Sequence, residues 1–163
     1  MQVPEVVRSG WPVVLEMVET LPGPPEVVWR LLTDWEHQSD WQLEASDFVV
    51  TSKQREGVGV EAEATITIGG ITTRDKVRVA AWEPPRRLAI EHRGWVSGRG
   101  EIFLTPLGDA RTHIYWREEL NPPIGALGAL GMLAFRPLMG RIFRRDLKVL
   151  AGLVRAATAG RPD

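Results

Sequence analysis

Hydrophobic and polar positions change rhythm twice along this chain. Residues 12–20 (PVVLEMVET) alternate and predict a strand. In the following LPGPPEVVWRLLTDW the prolines stop that strand and Pro25 suits the first turn of a helix. Val27, Val28, Leu31 and Leu32 give that helix an apolar stripe, and a second short helix is expected over 36–41. From about residue 46 to 120 the rhythm is one of two. FVVTSK, VEAEATITI, ITTRDKVRVAAW, RLAIEHRGW, GEIFLTPL and RTHIYWREEL read as six strands. EGVG, Gly69-Gly70, EPPR and LGDA supply the turns between them. Val60, Ala62, Ala64, Ile66 and Ile68 share one face while Glu61, Glu63, Thr65 and Thr67 share the other, the mark of a half-buried antiparallel strand.

Asn121-Pro122-Pro123 ends the sheet, and the rhythm becomes helical. Met139, Phe143, Leu147, Leu150, Val154 and Ala157 recur in steps of four and three, so a long helix is expected from about 137 to 158. Its other face carries Arg141, Arg144, Arg145, Lys148 and Arg155, either a solvated surface or a contact for acidic lipid or phosphate. A sheet with one apolar face must cover it, and this helix is the only large element able to do so. The expectation is one α+β domain spanning 1–163, with its core over about 12–158 and loose ends at 1–11 and 159–163.

Between sheet and helix lies IGALGALGMLAF, residues 124–135, without one polar side chain. It is shorter than the ~20 residues a membrane span needs, and Arg136 and Pro137 follow it. It has no polar face for an interfacial helix, so burial inside the protein is expected. Gly125, Gly128 and Gly131 weaken any helix here by about 1 kcal/mol each. Two readings stay open: a movable lid over a pocket, or a plain buried connection, with Pro137 restarting or kinking the helix.

Composition narrows the function. A net charge of −1 and a pI near 6.3 argue against a general nucleic-acid binder. Without cysteine, disulfides, thiol nucleophiles and thiolate metal sites are excluded. The first residues (MQVPEVVRSGW) lack a basic region followed by an apolar run, so no signal peptide is expected and the cytoplasm is the default location. No nucleophile elbow, phosphate loop or dinucleotide fingerprint appears, so no cofactor and no metal is expected. Seven tryptophans against one tyrosine point to large apolar space, in a core or lining a site.

PPEVVWRLLTDWEHQSDW, WEPPRRLAIEHRG and the closing RPLMGRIFRRDLKVLAGLV resemble the polyketide cyclase/dehydrase branch of the START-like (SRPBCC) superfamily. The resemblance runs over about 12–158 and is more specific for fold than for function. It implies a helix-grip fold: a curved antiparallel sheet of about seven strands wrapped around the C-terminal helix, with two short helices after the first strand. It implies an apolar cavity for a lipid, polyketide, isoprenoid or similar hydrophobic molecule. Some members of the family are cyclases.

Candidate chemistry sits on the inward faces. His92 alternates with Leu88 and Ile90, and is either a satisfied core histidine or a polar anchor for a ligand oxygen. Glu118 shares a face with Ile114 and Trp116, and Asp75 with Val77 and Val79; buried carboxylates are costly unless paired, which makes both site candidates. Met132, Phe135, Met139, Phe143 and Trp116 are expected to shape the wall. His113 is expected to face outward, and His37, near Asp40, to lie on the surface. The expected function is binding of a small hydrophobic molecule. One alternative is an aromatase/cyclase-dehydratase with His92 and Glu118 as acid and base. Another is a delivery protein that meets a membrane or partner peripherally, without stable insertion; monomer and homodimer are both compatible with the sequence.

Overall fold

The computed structural model describes residues 11–160. Seven strands form one antiparallel sheet: β1 (Val13–Leu21), β2 (Ala45–Val50), β3 (Glu61–Ile68), β4 (Ile71–Glu83), β5 (Arg87–Arg93), β6 (Ser97–Leu107) and β7 (Arg111–Asn121), in the order β1-β7-β6-β5-β4-β3-β2. Helix α1 (Pro25–Leu32) and a 3-10 helix (Trp35–Asp40) follow β1, and α2 (Gly125–Ala159) ends the chain. The sheet curls around α2, which is the helix-grip arrangement. The expected loose ends lie outside the described residues except for Trp11, Ala159 and Gly160, and of these Ala159 is the last residue of α2.

Local sequence explains the elements. Pro25 opens α1, and Val27, Val28 and Leu32 are buried from it. The Gln38 side chain, itself buried, donates to the carbonyls of Leu32 (2.8 Å) and Asp34 (3.2 Å), satisfying backbone acceptors left open where α1 ends. Strand β2 begins at Ala45, earlier than the FVVTSK run suggests, because Ala45 pairs with Ile66 and a register shift follows before Val49 pairs with Glu63. In the second half of α2, Met139, Phe143, Leu147, Leu150 and Val154 are all buried, as their spacing requires.

The first half of α2 departs from expectation. Residues 124–135 are neither a separate element nor buried all round; they are the opening turns of one 35-residue helix. Ile124, Leu127, Leu130 and Leu133 are 73%, 70%, 66% and 50% exposed, so a full apolar edge faces outward. Pro137 sits inside the helix without ending it. It deprives only the Leu133 carbonyl of an N–H partner, and Leu133 lies on the exposed side, where water can take that role. The run therefore continues past Arg136 and Pro137, and α2 is long and apolar enough to cross a bilayer by length and composition, although its second half is the core helix of the domain.

Truncating a buried residue of α2 and an exposed one should separate these two faces. Leu147→Ala is expected to lower stability by about 2–5 kcal/mol, as cavity-forming substitutions do. Arg144→Ala, on the exposed side, is expected to change it by less than about 0.5 kcal/mol. Urea unfolding of the two variants measures both.

Candidate functional site

Between the concave face of the sheet and α2 lies a pocket of about 410 Å³. Its wall is largely aliphatic and aromatic: Val60, Ala62, Ala64, Ile66 and Ile68 from β3, Val77 and Val79 from β4, Leu88 and Ile90 from β5, and Trp35, Trp41 and Phe48 around one end. All eight residues singled out from the sequence line it: Asp75, His92, Trp116, Glu118, Met132, Phe135, Met139 and Phe143. Trp116 stacks at a tilt on Phe143 (5.1 Å between centroids) and meets Trp41 edge-on at 6.0 Å.

One part of the wall is polar, and its groups are bonded to one another. His92 Nδ1 lies 2.7 Å from Asp75 Oδ2, and Nε2 lies 3.2 Å from Glu118 Oε2. Trp116 Nε1 donates to Glu118 Oε1 at 2.6 Å. Glu118 is buried, and the His92 and Asp75 side chains are nearly so. Burial pushes the imidazole toward its neutral form, but the Glu118 charge and the hydrogen bonds to Asp75 and Glu118 outweigh it and raise its pKa to about 10. His92 is therefore an imidazolium clamped between two carboxylates.

The clamp spans four strands, which side-chain reach alone does not permit. Asp75 is on β4, His92 on β5 and Glu118 on β7, so β6 runs between the last two. Strands lie about 4.8 Å apart, which puts β5 and β7 nearly 10 Å from each other. On β6 the inward positions facing His92 and Glu118 are Gly98 and Gly100. A Cβ on Gly100 would come within 2.5 Å of Glu118 Oε1, and one on Gly94 within 3.2 Å of Asp75 Oδ1. Gly100 thus leaves room for Glu118 to reach His92, while Gly94 is held to glycine chiefly by the Arg74 carbonyl, which a Cβ would meet at 2.6 Å, and a Cβ at Gly98 would strike the Glu119 backbone. Sequence reasoning missed these glycines; two alternate glycines on the face shared with Ile102 and Leu104 were the available signal.

Sequence reasoning also missed a second acidic group. Glu44, which lines the pocket, is hydrogen-bonded to the fully buried Asp146 of α2. Arg145 reaches both carboxyls, at 3.3 Å from Glu44 Oε2 and 2.9 Å from Asp146 Oδ1. Asp146 Oδ2 is buried without a hydrogen-bond partner. Burial, and then the hydrogen bond and charge of Asp146, push the Glu44 carboxyl up to about 8 against the pull of Arg145. Arg145 was expected on a solvated basic face; its guanidinium is instead engaged here, because the buried acids need a counter-charge. The remaining histidines lie away from the pocket. His113 is outside its wall, and His37 is exposed, with Asp34 (2.8 Å) rather than Asp40 as its partner. Among the described residues no group of three or more metal-ligating side chains occurs.

A curved sheet closed by one long helix over an apolar pocket defines a helix-grip ligand-binding domain. The model of the family described as polyketide cyclase/dehydrase and lipid transport matches residues 12–155, and the chain belongs to that family. No curated protein matches by sequence. Among solved structures it is similar to the Zhui aromatase/cyclase of Streptomyces sp. R1128, with a TM-score of 0.75 at 20% identity over 93% of this chain and 99% of that one. Protein TTHA0849 of Thermus thermophilus has a TM-score of 0.72 at 24% identity, covering 90% and 99%. A START superfamily protein of Mycobacterium smegmatis has 0.72 at 15%, covering 89% and 99%. These likenesses establish the fold.

Both raised groups make stability depend on pH with the same sign. The native state keeps protons that the unfolded chain releases above 4.5 at Glu44 and above 6.5 at His92. Their contributions are complete below those values, decline as pH rises, and are gone above about 8 and about 10 respectively. Urea midpoints should therefore fall from neutral pH toward 10, and Glu44→Gln should flatten the part below about 8. In Gly100→Ala the displaced Glu118 should let the His92 pKa, followed by imidazole NMR shifts, drop from about 10 toward 6.5.

Proposed function

We propose that the protein binds a small, mostly apolar molecule in the pocket between sheet and α2, oriented by the His92–Asp75–Glu118 group. The observation that carries this reading is the pairing of every nitrogen at the polar pole. Both His92 nitrogens and the Trp116 indole N–H are taken up by carboxylates. A general base must be unprotonated near neutral pH, and an acid must release its proton readily. An imidazolium held to about 10 does neither efficiently, so the geometry favours an anchor over the aromatase/cyclase chemistry in which His92 and Glu118 exchange protons with a polyketone. Affinity then comes from apolar area removed from water, at about 25 cal/mol per Å².

Titration with the neutral fluorescent probe N-phenyl-1-naphthylamine tests this. Met132→Asp places a carboxylate on the wall that must be desolvated or protonated when the probe enters, and it should weaken binding about tenfold or more. Turnover of a polyketone analogue that vanishes in Glu118→Gln while binding persists would overturn the anchor reading in favour of the cyclase.

A second reading, ligand exchange at an anionic membrane surface, is favoured by the exposed edge of α2. Ile124, Leu127, Leu130 and Leu133 lie beside the pocket mouth, where Ile71 and Trp95 both line the pocket and stand exposed. From Gly125 to Arg144 the helix carries Arg136, Arg141 and Arg144 and no acidic residue. That complements anionic lipid, whereas a second copy would set like charges face to face. Flotation with phosphatidylglycerol vesicles should show salt-sensitive attachment, lost in a Leu127→Asp/Leu130→Asp variant. A stable dimer in solution that leaves the vesicles unbound would exclude this reading.

A further inference from the structure

The polar pole of the pocket discriminates by hydrogen-bond direction, a property that rests on the binding reading above but goes beyond it. Three nitrogens face the two carboxyl groups there: His92 Nδ1 at 2.7 Å from Asp75, His92 Nε2 at 3.2 Å from Glu118, and Trp116 Nε1, which donates to Glu118 at 2.6 Å, so whichever atoms carry the protons, each proton lies between these groups. A carboxyl group offers up to about four acceptor positions, so roughly eight positions meet three nitrogens. What remains open toward the pocket at this pole is lone pairs alone.

Most other donors of the wall are engaged or shielded, and Arg74, next to Asp75 in β4, gives its Nε and Nη2 to Glu63. Gln38 spends its amide on the carbonyls of Leu32 and Asp34. The Trp41 indole N–H is buried without a partner and is shielded from open space. Gln42 sits close to Glu44 in the chain, and Thr73 shares the face of Asp75 two positions away in β4, where its hydroxyl both donates and accepts. From these positions we infer that the pocket selects hydrophobic molecules bearing a hydroxyl group, a phenol, enol or alcohol that donates to Asp75 or Glu118, over those whose oxygens only accept or carry negative charge. A ketone or ether oxygen placed at the pole would meet lone pairs, and a carboxylate would add a third acidic group to the two already there. A poly-β-ketone would therefore be held in its enolic or aromatised form rather than as the ketone.

A ligand series on the unmodified protein tests the direction of the bond without any risk of misfolding. Naphthalene, 2-naphthol, 2-methoxynaphthalene and 2-naphthoate share one ring system and differ in carrying no polar group, a donor, an acceptor alone, and an anion. A hydrogen bond to a charged acceptor predicts 2-naphthol about tenfold or more tighter than naphthalene and 2-methoxynaphthalene, with 2-naphthoate weakest. In Glu118→Gln and Asp75→Asn, checked for native circular dichroism, the 2-naphthol advantage should shrink toward one while naphthalene affinity stays within about threefold. Binding of 2-methoxynaphthalene or 2-naphthoate as tight as that of 2-naphthol would overturn the donor rule while leaving the binding reading intact. Failure of all four to bind would overturn the binding reading itself, and the donor rule with it.

Discussion

Everything else in this domain follows from one requirement: the concave face of a seven-stranded sheet must be covered, and among the described residues α2 is the only element long enough to do it. The cover is complete along the second half of the helix, where Phe143, Leu147, Leu150 and Val154 meet the sheet, β1 and α1. Along the first half it is incomplete. There α2 stands off the sheet, and the space it leaves is the pocket. Packing and function are therefore two stretches of the same helix, and the glycines at 128 and 131 sit in the stretch that borders the open space.

An apolar pocket that contains three ionisable groups is stable only if those groups neutralise one another. A buried cation between two carboxylates meets that condition, and the Trp116 indole adds a third donor to the same pair. The geometry depends on what is missing from β6 as much as on what is present. A side chain at Gly100 would press on the Glu118 carboxyl that reaches His92, and one at Gly98 would strike the backbone of β7 at Glu119, so either would disturb the register that brings the two together. At the β2 side of the pocket the same problem has another solution, in which the Arg145 guanidinium lies against both Glu44 and Asp146. Two distinct ways of tolerating buried acid thus coexist in one small domain.

Much of this is legible in the chain itself. Alternation places six of the strands and the inward faces, and steps of four and three place the buried stripe of α2, because both patterns are direct consequences of backbone period. Inward parity alone also assigns His92, Asp75, Glu118 and Trp116 to the face that lines the pocket. Residues 124–135 run against expectation because an all-apolar segment need not be a buried one. Helical geometry puts Leu127, Leu130 and Leu133 on the side away from the sheet, and no polar residue marks that side in the sequence.

What tertiary structure alone decided was which of these groups meet. Parity states that a side chain points inward; register states what it faces, and register across β4 to β7 is set by pairings between residues far apart in the chain. Only that register aligned Gly98 and Gly100 between His92 and Glu118 and turned three isolated polar residues into one clamp. The Glu44–Asp146 pair joins a loop residue to a helix residue about a hundred positions later, and no local rhythm connects them. The sequence by itself determined the elements and their faces, because those depend on neighbours three or four residues away. The polar pole and its hydrogen-bond direction depend on contacts made only when the sheet has closed around α2.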